Sequence, residues 1–124
     1  MHYRVRLQDV FDAHAQALAF GGRSGILNVG SVESAIARPY SGYHRPMSRK
    51  CAALMHALIR NHGFVDGNKR TALIVTLLLI ERSGYRLALQ SSERIDDMVV
   101  AEADGAMDYE ELVVWFRQRL RRRT

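Results

Sequence analysis

Apolar residues recur along this chain at helical rather than strand spacing. Leu7, Val10, Phe11, His14 and Leu18 fall at i, i+3, i+4, i+7 and i+11, the pattern of a helix with one buried face, and Gly21-Gly22 supplies its stop. His14 lies on that stripe with no second acid or base beside it in sequence, so it reads as a core histidine satisfied by a hydrogen bond. After a loop over Gly25 to Gly30, Ser31 to Ala37 reads as a short helix with Ser31 as N-cap and Pro39 at its end. From Met47 to Arg60, residues Cys51, Leu54, Met55, Leu58 and Ile59 share one side of a third helix. A fourth starts near Asn68 and runs to Ser83, where Gly84 stops it. Its apolar residues, Leu73 to Val75 and Leu77 to Ile80, cover nearly the whole circumference, which predicts the central, buried helix of the fold.

Tyr85 to Leu89 alternates, but over too few residues to make a sheet. Ser91 or Ser92 caps a fifth helix carrying Ile95, Met98 and Val99. Asp108 with Glu111 forms a capping box at the start of a last helix that buries Leu112, Val113, Phe116 and Leu120. The expected fold is therefore all-α, a single-domain bundle of about six helices around a central buried helix, with at most one short extended flap.

Composition narrows this picture. The 124 residues are 48% hydrophobic, enough to close one core, and neither a repeat nor a flexible linker divides residues 1–124. The net charge is +5, and of the 18 basic residues only Lys50 and Lys69 are lysine. Five arginines crowd the tail 117–124, which reads as a solvated helix end whose cations offset the negative pole of the helix dipole rather than as a nucleic-acid footprint. The single cysteine, Cys51, excludes an internal disulfide and a multi-cysteine zinc site, and reads as a small core residue. The longest apolar-dominated run, Ala72 to Ile80, is far shorter than the roughly 20 residues of a membrane span, and residues 1–6 carry no apolar leader segment. The expected location is a reducing cytoplasm, with no membrane partner.

The chemistry concentrates in residues 62–71, His-Gly-Phe-Val-Asp-Gly-Asn-Lys-Arg-Thr. A helix starting in a polar loop directs its free N–H groups and positive pole toward that loop. Gly67 and Asn68 tolerate positive φ, so they form either an ordinary tight turn or an anion-binding nest. Lys69 and Arg70 in the first turn oppose the dipole and call for a negative group to offset them, which a phosphate would do. Asp66 supports two readings, a helix N-cap or a ligand of Mg²⁺, which binds through one or two carboxylates plus substrate phosphates. His62 is either a helix-terminal histidine or a general base. Phe64 is a core plug that orients the loop. The segment 39–46, rich in tyrosine, glycine and charge, is either a plain surface loop or a flap through which Tyr40, Tyr43, His44 and Arg45 touch a protein substrate.

The run His62 to Thr71 resembles the signature of the Fic/Doc (Fido) superfamily, H-x-F-x-D/E-G-N-G/K-R. With average usage of roughly one in twenty per position, a chance match at so many fixed places in one short chain is remote. The likeness extends from Gly21-Gly22 through Glu33-Ser34-Ala35 and Arg38-Pro39 to the Gly84-Tyr85-Arg86-Leu87 turn. Two departures from the adenylyl-transferring pattern stand out. Lys69 replaces a glycine, and Leu73 stands where a second phosphate-clamping arginine is expected on the same helix face as Arg70. Both resemble the death-on-curing (Doc) branch, although the phage toxin of that branch has alanine where Gly67 stands.

That resemblance implies a toxin of a toxin–antitoxin pair that uses ATP with Mg²⁺ to phosphorylate a protein hydroxyl. The implied target is a threonine of elongation factor Tu, with arrest of translation. His62 is then the base, Asp66 the Mg²⁺ ligand, Gly67 and Asn68 the phosphate cradle, and Lys69 and Arg70 the neutralising cations. Arg60 matches a Doc arginine that reaches the same phosphates, or is a surface helix arginine. The implied partner is an antitoxin whose disordered segment folds on the toxin. Two other functions stay open at this stage: a Fic-type protein adenylyltransferase, and a non-catalytic nucleic-acid or partner-binding module.

Overall fold

A computed structural model describes residues 2–42 and 44–123. In chain order it contains α1 (Leu7–Leu18), α2 (Val29–Ala37), a 3₁₀ turn (Arg38–Tyr40), α3 (Met47–Asn61), α4 (Asn68–Arg82), β1 (Tyr85–Leu87), α5 (Ile95–Ala103), α6 (Tyr109–Arg119) and β2 (Leu120–Arg122). The fold is all-α apart from one two-stranded ribbon. Among the described residues no helix is long and apolar enough to cross a membrane.

The most enclosed helix is α3, not α4 as the hydrophobic pattern predicts. Ten residues of α3 are buried, Cys51, Ala52, Leu54 and Met55 completely, and it packs against α2, α4, α5 and α6. Alanines and Cys51 let neighbours approach from several sides, so a helix of modest hydrophobicity can occupy the centre. The apolar circumference of α4 is only partly covered: Val75, Leu79 and Ile80 are buried, whereas Leu77 is 38% exposed beside Asp12, Gln16 and Glu81.

Two caps differ from expectation. The start of α2 is capped by Asn28, whose Oδ1 accepts the N–H of Ser31 at 3.1 Å, so Ser31 is inside the helix. At α5 the N-cap is Arg94 with no side-chain cap, and neither Ser91 nor Ser92 serves; Glu93 instead accepts the Gln90 N–H. The capping box of Asp108 and Glu111 forms as its spacing predicts.

The sheet was not legible either. Tyr85, Arg86 and Leu87 pair antiparallel with Arg122, Arg121 and Leu120, so α6 stops at Arg119 and the arginine tail turns into a strand. Arg123 N–H donates to Gly84 O and Ala88 N–H to Arg119 O, which closes both ends of the ribbon. Backbone pairing takes the place of helix continuation here and satisfies polar groups along one edge of β1.

The N-terminal segment is fastened to the bundle by polar contacts. Tyr40 Oη accepts from Val5 N–H and donates to Tyr3 O, each at 2.7 Å. Asp9, 7% exposed, accepts from Tyr3 Oη at 2.6 Å and Arg6 N–H at 2.9 Å. Burial pushes the Asp9 carboxyl up, but the Tyr3 hydroxyl, the Arg6 N–H and the Arg6 charge together outweigh it and hold it below its ordinary value. A carboxyl lowered on folding stabilises fully above the unfolded value of about 3.9, and that contribution disappears as pH falls through the folded value. Replacement Asp9→Ala is therefore expected to cost about 1–3 kcal/mol in urea unfolding at neutral pH, with the gap to wild type closing in acid below about pH 4.

Candidate functional site

The loop between α3 and α4 is shaped by three sets of contacts. Gly63 O accepts the N–H groups of Leu27 and Asn28 at 2.8 and 3.2 Å, while Val65 N–H donates to Gly25 O at 3.0 Å. These bonds form a single bridge between Ile26 and Phe64. Within the loop, the Asn68 side chain closes on Phe64 in both directions, accepting its N–H at 3.1 Å and donating to its carbonyl at 2.9 Å. From below, His14 Nε2–H donates to Asp66 O at 2.9 Å and its ring lies flat on Phe64, centroids 3.8 Å apart. The carbonyl can only accept, so His14 carries its proton on Nε2. Both sequence expectations hold: His14 is a satisfied core histidine and Phe64, 2% exposed, is a plug.

That clamp fixes two unusual backbone conformations. His62, the C-cap of α3, has φ +45°, the only positive φ of a described non-glycine residue. An L-residue there costs about 1–2 kcal/mol, and such strain collects at functional positions. Gly67, the N-cap of α4, has φ +81° and no side chain caps the helix. Asp66 is thus not the N-cap. The first α4 residue whose N–H reaches a loop carbonyl is Thr71, on Gly67 O, which leaves the N–H groups before it directed outward.

In front of them lies a cavity of about 360 Å³. Asp66, Gly67, Asn68, Lys69 and Arg70 form one side and Leu73 continues it along α4. Gly21 and Gly22 close one edge, and Asp96, Val99 and Val100 of α5 supply a wall that no local sequence pattern predicts. Asp66 Oδ2 accepts the backbone N–H of Arg23 at 2.9 Å. Arg70 lies over the Phe20 ring, 4.3 Å from its centroid, although Phe20 is 75% exposed.

Several predicted residues lie elsewhere. His62 is exposed at the loop's entrance and does not line the cavity. Arg60 does not line it either: Nη2 donates to Glu102 O at 2.9 Å and Nε lies 3.8 Å from the Glu102 carboxylate. Tyr40, His44 and Arg45 line a different cavity, Tyr40 being half-buried under the N-terminal segment and His44 Nδ1 2.9 Å from Tyr109 Oη. Tyr43 lies outside the described residues.

The site's donors suit an anion: uncapped N–H groups, two exposed cations and a glycine entry. One half-buried carboxylate with a free oxygen suits a hard cation bound jointly with phosphates, and no group of three or more potential ligands forms a protein cage among the described residues. A family model described as Fic/DOC matches residues 4–80, a span that holds His14, Gly21-Gly22, the whole loop and Leu73.

The chain belongs to the Fic/DOC family.

It is also 36% identical over 103 residues, 76% of its own length and 78% of the relative's, to a curated protein named Toxin Doc from Mycolicibacterium smegmatis. The α5 wall of the cavity falls beyond the span of the Fic/DOC match.

Two residues that sequence reading missed follow from this geometry. A Cβ on Gly63 would sit 2.4 Å from Val32 Cγ2, so Gly63→Ala is expected to destabilise the fold by about 1–3 kcal/mol in chemical unfolding. Phe20 orients Arg70 from an exposed position. Its replacement by alanine should leave unfolding within about 0.5 kcal/mol and weaken tripolyphosphate binding about two- to fivefold by calorimetry. Tryptophan at the same position should retain wild-type affinity, and leucine should not.

Proposed function

We propose that this Fic/DOC protein is a toxin of a toxin–antitoxin pair that transfers the γ-phosphoryl group of ATP to a hydroxyl of a protein target. The observation that carries the reading is the cavity wall at the start of α4, where Lys69 and Arg70 stand beside uncapped N–H groups and Leu73 replaces a second clamping cation one turn on. A site that must bind both α- and β-phosphates during adenylyl transfer has use for that second arginine. One that presents a terminal phosphoryl group needs charge concentrated at the loop. Phosphoryl transfer asks a protein mainly for positioning and charge neutralisation.

In this mechanism the acceptor hydroxyl enters beside the exposed His62, which takes its proton as the hydroxyl oxygen attacks the γ-phosphorus. The bond to the bridging oxygen breaks and ADP leaves with its electron pair. Lys69, Arg70 and the α4 N–H groups hold the charge that develops on the transferred group. Asp66, kept in place by the Arg23 N–H, would hold Mg²⁺, which would neutralise phosphate charge when bound. Gly67 and Asn68 shape the cradle, the Asn68 side chain by closing the loop and its backbone by facing the phosphate. Arg60 is assigned to the α3–α5 junction in this reading, not to ATP.

The resemblance in the loop points to a threonine of elongation factor Tu as acceptor, in the cytoplasm. It also points to an antitoxin with a segment that folds on the toxin, and the name of the mycobacterial relative supports a toxin role. Incubation with elongation factor Tu and ATP labelled at either the γ- or the α-position tests the chemistry. Label is expected on the target from the γ-position only. His62→Ala should lower that transfer by about 10²–10⁴ while ATP still binds. Label arriving from the α-position alone would instead establish adenylyl transfer.

A further inference from the structure

A second cavity, of about 550 Å³, shares no lining residue with the first. Its walls come from the N-terminal segment (His2, Arg4), the end of the 3₁₀ turn (Tyr40), the segment after it (His44, Arg45) and the start of α3 (Lys50). None of its lining residues is acidic. Arg6, Arg49, Arg60, Arg94 and Arg119 each find a carboxylate, but Arg4, Arg45 and Lys50 pair with none among the described residues.

The positive charge here is held in place. The Arg4 guanidinium lies 4.6 Å and Lys50 Nζ 5.4 Å from the centroid of the Tyr40 ring, two like charges gathered on one aromatic. Arg122 of β2 extends the face, lying over Tyr85, whose ring meets that of His2 edge-on at 5.9 Å. His2 registers the resulting field: burial and then Lys50, the terminal amino group and Arg122 lower its pKa. Like charges gathered without counter-charge cost stability in the free protein, and an anionic ligand relieves that cost.

We propose that this cavity is a docking site for an acidic peptide segment of a protein partner, its carboxylates received by Arg4, Arg45, Lys50 and Arg122. Arginine forks suit carboxylates. Single-stranded nucleic acid needs open aromatic faces for its bases. Here the Tyr40 ring carries two cations and its hydroxyl is engaged with Val5 and Tyr3, while Tyr85 is flanked by Arg122 and His2. The site is independent of which phosphorus the α3–α4 loop attacks.

Fluorescence anisotropy with a labelled oligoglutamate peptide and a labelled single-stranded RNA of matched charge tests the assignment. Saturable, salt-sensitive peptide binding is expected, weakened about tenfold or more in the double variant Arg4→Glu/Lys50→Glu and, separately, in Arg45→Glu/Arg122→Glu. The second pair decides if the first does not fold. Lys69→Ala should bind the peptide as wild type does. The proposal is overturned by absence of peptide binding at low salt, by binding unchanged in the folded charge-reversal variants, by loss in Lys69→Ala instead, or by tighter RNA binding through the same residues.

Discussion

The contact on which this site depends is His14 against the α3–α4 loop: a hydrogen bond to Asp66 O and a flat stack on Phe64. A loop carrying a carboxylate, an amide and two cations has no apolar reason to adopt one shape. Phe64 gives it one, since burying that ring is worth about 1.5–3 kcal/mol, and His14 converts the burial into a register by holding the carbonyl two residues on. Once Phe64 and Asp66 are fixed, the Asn68 closure and the left-handed Gly67 place the start of α4, and with it the free N–H groups.

Around that constraint the molecule distributes its charge unevenly. Five arginines are tied to carboxylates, Arg60 among them, joining α3 to α5 through Glu102, which also pairs with His56. Buried Glu102 thereby fastens the very helix that walls the cavity in front of the α3–α4 loop. Among the described residues Lys69 and Arg70 lack such partners, as do the cations of the second cavity. Unpaired cations facing a cavity give up stability that a bound anion restores.

The loop could be read in sequence because its chemistry is local: consecutive residues fix the glycine conformation, the cation pair and the family signature. Helix spans were legible for the same reason, since periodicity is a property of neighbours along the chain. Caps were less so. Ser31 and Asn28 are both good cap residues three positions apart, and only the packing of α2 against the Gly63 carbonyl region, where Asn28 N–H is also bound, selects between them. The choice of α3 over α4 as the central helix was hidden because hydrophobicity counts apolar side chains, whereas centrality depends on how many neighbours fit around them.

By itself, the sequence determined the six helices, the buried histidine and phenylalanine, and a polar glycine-containing loop with Lys69 inside it and Leu73 behind it. Those are consequences of spacing and residue type over a few turns. Tertiary structure alone decided what stands opposite the loop: the α5 wall, Arg23 holding Asp66, Phe20 under Arg70. It also turned Arg60 toward Glu102 and the tail arginines into a strand, and moved Tyr40 to a separate cavity. Each of these joins residues far apart in the chain, and their pairing is set by which surfaces the packed helices leave adjacent, a quantity that no local pattern encodes.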